Sequence, residues 1–134
     1  VREGRLGRDV HLDRVQRGRN GEEAAAAFLL GRGYEVLARN QRTPVGELDL
    51  VCRQGAEVVV VEVKARRHEE YGTGMEAIGP RKAGRLRAAA LWWLSDRGLF
   101  PCLVRFDAVV VSIDGGGTPL KLQHLQDVIG GGGW

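Results

Sequence analysis

Six consecutive residues, Val58 to Val63, read VVVVEV, and no other stretch limits the available folds as much. All but one are β-branched, and the run is too short for a helix of its own, so it predicts a buried central strand. The exception is Glu62, set between Val61 and Val63. An isolated carboxylate inside an apolar strand costs several kcal/mol, so it is usually paired or bound to a metal. Upstream, Leu48, Leu50 and Cys52 alternate with Glu47, Asp49 and Val51, the period of a half-buried strand. Arg53-Gln54-Gly55-Ala56 supplies a glycine for a hairpin loop between the two. Alternation puts Glu47, Asp49 and Val51 on one side of the first strand. Val58, Val60, Glu62 and Lys64 share one side of the second. If those sides coincide, Asp49, Glu62 and Lys64 converge.

The rest of the chain supplies cover for this hairpin. Residues 1–19 lack apolar periodicity and are expected to form a loose basic arm with at most a short helical piece. Asn20 reads as an N-cap with Glu23 as its capping-box partner, opening an alanine-rich helix from Gly21 to about Leu30. Tyr34 to Arg39 predicts a first strand, and Pro44 breaks the chain before the hairpin. Ala65 to Gly79 reads as a charged loop over the end of the sheet. Gly79-Pro80 opens a second helix, with proline at its first position and Gly98 past its end. Its Leu86, Ala90, Leu91, Trp93 and Leu94 form an apolar stripe, and Trp92 and Trp93 are expected to pack rather than stack on bases. Leu103 to Ile113 predicts a last long strand, in which Asp107 is expected to be solvated. Gly115 to Gly117 is a turn, Leu120 to Ile129 a short strand or helical turn, and residues 130–134 a frayed tail. The sum is one α/β domain over residues 20–129, a mixed sheet flanked by helices.

Composition narrows the function. A chain of 134 residues with 43% hydrophobic and 28% charged content is expected to be globular, with one modest core. No apolar run approaches the roughly 20 residues of a membrane span. The Arg-rich first twenty residues do not resemble a signal peptide, so a cytoplasmic protein without membrane contact is expected. Cys52 and Cys102 lie in strand contexts and read as free thiols. The net charge of +3 is uneven: residues 1–19 carry +3, residues 20–76 carry −3, residues 77–105 carry +5 and the remainder −2. An acidic centre with basic flanks suits a polyanion held by its backbone, although solvated surface charge gives the same composition. His11, His68 and His124 have neither zinc nor triad spacing, and no glycine-rich nucleotide loop is present.

The order Asp49, a short gap, then Glu62-Val63-Lys64 is similar to the PD-(D/E)xK pattern of restriction-endonuclease-like nucleases, with Leu48 where the pattern has proline. GEEAAAAFL, GYEVLARN, GELDLV, VVVVEVKAR and PRKAGRLRAAA, in that order, resemble the small bacterial YraN family, related to archaeal Holliday-junction resolvases. The resemblance covers roughly residues 20–129 and implies an αβββαβ nuclease core. It also implies a Mg²⁺- or Mn²⁺-dependent endonuclease acting on DNA, of branched or single-stranded form. Related resolvases pair as dimers, so a homodimer is compatible, though no dimer surface is legible.

The residue types fit that chemistry. Mg²⁺ prefers hard oxygens. Asp49 and Glu62 would supply carboxylates and Val63 a carbonyl. Lys64 could act as general base or as a cation that orients water; two neighbouring carboxylates favour the cation. The resemblance adds Glu22, from the first helix, as a catalytic candidate approaching the metal; its competing role is a first-turn glutamate on the helix dipole. Glu47 could hold a metal-bound water or a salt bridge. Arg81, Lys82 and Arg85 follow a helix start, and Arg66 and Arg67 follow the signature; all five are candidates for phosphate contact. The alternative is a non-catalytic nucleic-acid-binding module that keeps the fold.

Overall fold

A computed structural model describes residues 13–67 and 78–129. The arm before residue 13, His11, the loop from His68 to residue 77 and the glycine-rich tail therefore lie outside the described residues. Helix α1 (Arg14–Gly31) is followed by strands β1 (Glu35–Thr43), β2 (Gly46–Gln54) and β3 (Glu57–Arg67). Helix α2 (Pro80–Asp96) and strands β4 (Leu103–Ile113) and β5 (Pro119–Leu125) complete the chain. The sheet order is β1-β2-β3-β4-β5. Only β3 and β4 pair in parallel, and the other neighbours are antiparallel. This is the mixed-sheet α/β architecture expected of a restriction-endonuclease-like core, with β5 added at one edge.

A parallel pair cannot be joined by a tight turn, so the chain between β3 and β4 crosses the sheet through α2. The two helices bury opposite faces. On one face α1 places Ala25, Ala26 and Leu29 against Leu50, Cys52, Val59, Val61, Val109, Val111 and Ile113. On the other, α2 places Ala89, Ala90, Trp93 and Leu94 against Val51, Val58, Val60, Val104 and Phe106. The valine run thus divides by parity, with Val59 and Val61 facing α1 and Val58 and Val60 facing α2. Burying each side chain on both faces contributes roughly 1.5–3 kcal/mol, so β3 is the most strongly held strand. Gly55, at φ 61°, makes the β2–β3 turn that an L side chain would strain.

The first helix begins seven residues earlier than the Asn20 cap predicts. Asp13 is the N-cap, its Oδ1 accepting the Gln16 N–H at 2.8 Å. Asn20 lies inside the helix and donates its side-chain amide to the Gly117 carbonyl at 2.9 Å, tying α1 to the β4–β5 turn. Glu23 forms a salt bridge with Arg39 at 3.2 Å instead of closing a capping box. At Gly21 the helix comes so close to β3 that a Cβ there would lie 2.8 Å from the Ala65 Cβ. A mid-helix glycine costs about 1 kcal/mol relative to alanine, and this close approach outweighs that cost.

Helix α2 has Gly79 at its N-cap and Pro80 at its first position, as its sequence predicts. Trp93 is buried and donates its indole N–H to Gln41 of β1 at 2.9 Å. Trp92, expected to pack, is 40% exposed because it lies off the stripe that meets the sheet. Both cysteines are free thiols. Burial pushes the Cys52 thiol up to about 11, with the Asp107 charge adding to it. Among the described residues no helix is long and apolar enough to cross a membrane.

The expectation that Asp107 is solvated is overturned. It is the only buried charged residue among those described, 1% exposed, on the α1 face of β4. Arg105 donates to its two carboxylate oxygens, each at 2.9 Å. His124 of β5 meets Oδ2 at 2.8 Å, and the Asp127 N–H meets Oδ1 at 2.9 Å. Arg105 also donates to the Tyr34 hydroxyl at 2.7 Å and pairs with Glu57 at 3.3 Å. A buried carboxylate with four such contacts, from three residues, is compensated, which is why β4 tolerates it.

Candidate functional site

Pairing between β2 and β3 runs from Gln54↔Glu57 to Leu50↔Val61 and stops there. Pairing of β3 with β4 continues to Arg67↔Ile113. Beyond Val61, then, β3 has a neighbour on one edge only. Asp49 fills the gap: its Oδ2 accepts the Val63 N–H at 2.9 Å, where a ladder partner would have stood. A strand residue directs its N–H and C=O to the same edge, so the Val63 carbonyl faces this gap as well.

Around the gap lies an open cavity of about 360 Å³ on the α2 face of the sheet. Its wall includes Glu47, Asp49, Glu62, Val63 and Lys64 from the strands and Lys82, Arg85, Leu86 and Ala89 from α2. Parity explains the set. Glu62 and Lys64 continue the side of β3 that carries Val58 and Val60, and Asp49 continues the side of β2 that carries Val51. The turn residue Val45 and Gly46 form the rim.

Charge in the cavity is mixed. Lys82 reaches down from the first turn of α2 to the Glu62 carboxylate and forms an ion pair with Oε2. Lys64 approaches the same oxygen at 3.6 Å. Burial works against the Lys82 ammonium, but the hydrogen bond and charge of Glu62, aided by Asp49, raise its pKa above the ordinary value. Asp49 is raised to about 6, first by desolvation and then by the charges of Glu22, Glu62 and Glu47, against the Val63 hydrogen bond. Three carboxylates around a fourth, buried one make a site that disfavours its own negative charge. Glu47 also approaches Arg42 at 3.8 Å on the exposed side.

Glu22 comes from α1, on the other side of the sheet, yet its charge acts on Asp49. The parting of β2 from β3 opens the sheet at this end, and the Gly21–Ala65 contact holds the helix close. Desolvation raises the Glu22 pKa, a hydrogen bond from the Asn40 side chain opposes this, and Glu47 adds to the rise. Asn40 is a residue that pattern reading passes over. It sits within β1 at φ 50°, a conformation that asparagine tolerates better than other L residues and that poor strand formers mark.

Of the sequence-derived candidates, the cavity brings together Asp49, Glu62, Val63, Lys64, Lys82 and Arg85. Arg67 lines a different cavity, and Arg66 and Arg81 line neither. Two carboxylates and a backbone carbonyl form a hard-oxygen set suited to Mg²⁺ or Mn²⁺. Among the described residues no group of three or more His, Cys, Asp or Glu side chains is arranged to hold a metal ion. Any ion here would rest on two side chains, the carbonyl, and water or phosphate oxygens, which is how Mg²⁺ is commonly held.

Residues 21–111 match the model of the uncharacterised protein family UPF0102. A UPF0102 protein of Moorella thermoacetica is 46% identical over 103 residues, covering 77% of this chain and 86% of the relative. One from Pelotomaculum thermopropionicum is 44% identical over 110 residues, covering 82% and 92%. One from Frankia alni is 45% identical over 109 residues, covering 81% and 90%. These names state no activity. Every residue placed at the cavity falls inside the matched stretch.

Proposed function

We propose that this chain, which belongs to the UPF0102 (YraN) family, is a divalent-metal-dependent endonuclease that hydrolyses phosphodiester bonds in DNA, of branched or single-stranded form. The observation that carries this reading is the convergence of Asp49, Glu62, the Val63 backbone and Lys64 on one open cavity where β2 and β3 part. A Mg²⁺ or Mn²⁺ ion held by the Asp49 and Glu62 carboxylates and the Val63 carbonyl would polarise a phosphoryl oxygen and acidify a bound water.

The protein's own groups do the positioning. Lys64, as a cation, orients the attacking water and stabilises the charge that develops on the phosphoryl oxygens. Lys82 and Arg85 line the same cavity, and in this reading they hold non-bridging phosphate oxygens. Glu22, fixed by Asn40, adds a carboxylate from the α1 side that can hold a proton or a water.

A second reading has its own support. Lys64 and Lys82 both approach Glu62, so the carboxylate is charge-balanced without any metal. A nucleic-acid-binding module that has kept the fold without turnover would look the same. Junctions, flaps, duplexes and single strands incubated with Mn²⁺ separate the two. The nuclease reading expects wild type to nick at least one substrate, Asp49→Ala to nick none, and Lys64→Ala to bind without nicking. Equal cleavage by wild type and Asp49→Ala would mark a contaminant and end it.

A further inference from the structure

We propose that Arg14, Arg17 and Arg67 form a second phosphate-binding cradle, which grips another stretch of the same nucleic acid. It rests on the reading above, and takes it further by requiring a substrate that reaches both faces of β3. The first turns of α1 and the end of β3 enclose an open cavity of about 600 Å³ lined by Arg14, Arg17, Gly18, Ala65 and Arg67. Of the five described residues that line it, three are arginines and none is acidic. The nearby Asp13 carboxylate is engaged in capping, on the Gln16 N–H.

The cradle is built by packing as well as by charge. Arg14, Arg17, Gly18 and Gly21 recur at helical spacing, so they share a face of α1. Gly21 lies directly against Ala65, which holds that face to β3. The floor is Gly18 and Ala65, and a Cβ at Gly18 would meet nothing within 4 Å. Beside the three arginines the lining is therefore made of the smallest side chains. Guanidinium forks match the paired oxygens of a phosphodiester, the group that the proposed chemistry of the neighbouring cleft acts on.

Position selects a polymer over a small anion. Ala65 packs on the α1 side of the sheet, whereas Lys64 lines the acidic cleft on the α2 side. Lys64 and Arg67 are three residues apart, about 10 Å along a strand. A ligand touching both has to pass around the end of β3. A polynucleotide, with one phosphate per roughly 3.4 Å of each strand along a duplex, presents phosphates on both sides of such a bend. Arg14, Arg17 and Gly18 precede the stretch that the family model matches, whereas Ala65 and Arg67 lie within it, so the α1 half of the cradle is outside what that model describes.

The empty floor supplies the test. Gly18→Ala and Gly18→Glu both place atoms where there is room, and both residues favour helix over glycine, so the two variants should fold. Binding of the full chain to labelled junction DNA is measured by anisotropy in EDTA, across a KCl series. Gly18→Ala should bind as wild type does. Gly18→Glu should bind about tenfold more weakly, with a salt slope shallower by about two, as should Arg14→Ala/Arg17→Ala. Equal affinity and slope in all four proteins would overturn the cradle while leaving the cleft untouched. If wild type binds no DNA, the functional reading fails, and inorganic polyphosphate is titrated while the Ala65 amide resonance is followed. A shift in wild type and Gly18→Ala that Gly18→Glu abolishes keeps the anion site; an unmoved Ala65 resonance removes it.

Discussion

The Asp49 carboxylate accepts the backbone N–H of Val63 at 2.9 Å, so a side chain of β2 stands in for a strand partner at the point where β2 and β3 separate. That position is costly for a charge. Asp49 has its pKa raised from 3.8 to about 6, mainly by desolvation. A carboxylate raised in this way favours the folded state most below about pH 4 and loses that contribution as pH rises through about 6. The loss is of order 2–3 kcal/mol. In EDTA, urea unfolding should show Asp49→Asn to be more stable than wild type at pH 7.5 by about 2 kcal/mol, and nearly equal to it at pH 4. A difference that does not change with pH would mean that the buried charge is compensated by something else.

Lys82 and a divalent cation would compete for the same carboxylate, since Lys82 is paired with Glu62 Oε2. Lys82→Met keeps the apolar stem and removes the rival. Calorimetric titration with Mn²⁺, without nucleic acid, should show about tenfold tighter binding in the variant, a difference of about 1.4 kcal/mol. Unchanged affinity would place the metal away from Glu62.

Replacing Gly21 with alanine improves helix propensity by about 1 kcal/mol but forces a Cβ against Ala65. Overpacking of this kind costs typically 1–3 kcal/mol. Gly21→Ala should therefore be neutral to destabilised, by up to about 2 kcal/mol, and Gly21→Val worse. Because α1 also carries Glu22, Mn²⁺-dependent nicking should fall more than stability does. Denaturant midpoints and cleavage rates measured together decide it.

Asp107 holds Arg105, His124 and the Asp127 backbone at once. Its removal leaves the part-buried Arg105 guanidinium with only Glu57 and the Tyr34 hydroxyl, and takes their acceptor from His124 and the Asp127 N–H. Asp107→Ala should lose about 3–5 kcal/mol of stability by urea denaturation. None of these residues lines the acidic cleft, so DNA binding by the folded fraction should survive. A variant as stable as wild type would contradict the account of the network.

The hairpin, the second helix and the last long strand were legible because each carries a local signal: a β-branched run, a Gly-Pro start, a turn glycine. The cleft was legible in part: strand parity puts Glu62 and Lys64 on one side of β3, and Asp49 joins them because the matching sides of the two strands coincide. What escaped reading depends on partners far along the chain. Residues 14–20 carry no apolar stripe, and their helix is secured by the Asp13 cap and by Asn20 reaching Gly117. Asp107 looks solvated in a sequence because its acceptors are used by residues 2, 17 and 20 positions away. Asn40 gives a faint local sign, a poor strand former within a strand, but its use depends on Glu22 in another element.

The parallel pairing of β3 with β4 has a kinetic side. Asp49 and Glu62 are brought together by a short hairpin, which closes in microseconds. Register between Glu57 and Leu103, by contrast, pairs residues 46 apart in sequence, and such long-range closure is slow. Lys82 and Arg85 travel with the crossover between β3 and β4. During folding, the acidic half of the cleft therefore exists before its basic half arrives, so added salt, by screening the early carboxylates, should speed the first events more than the last.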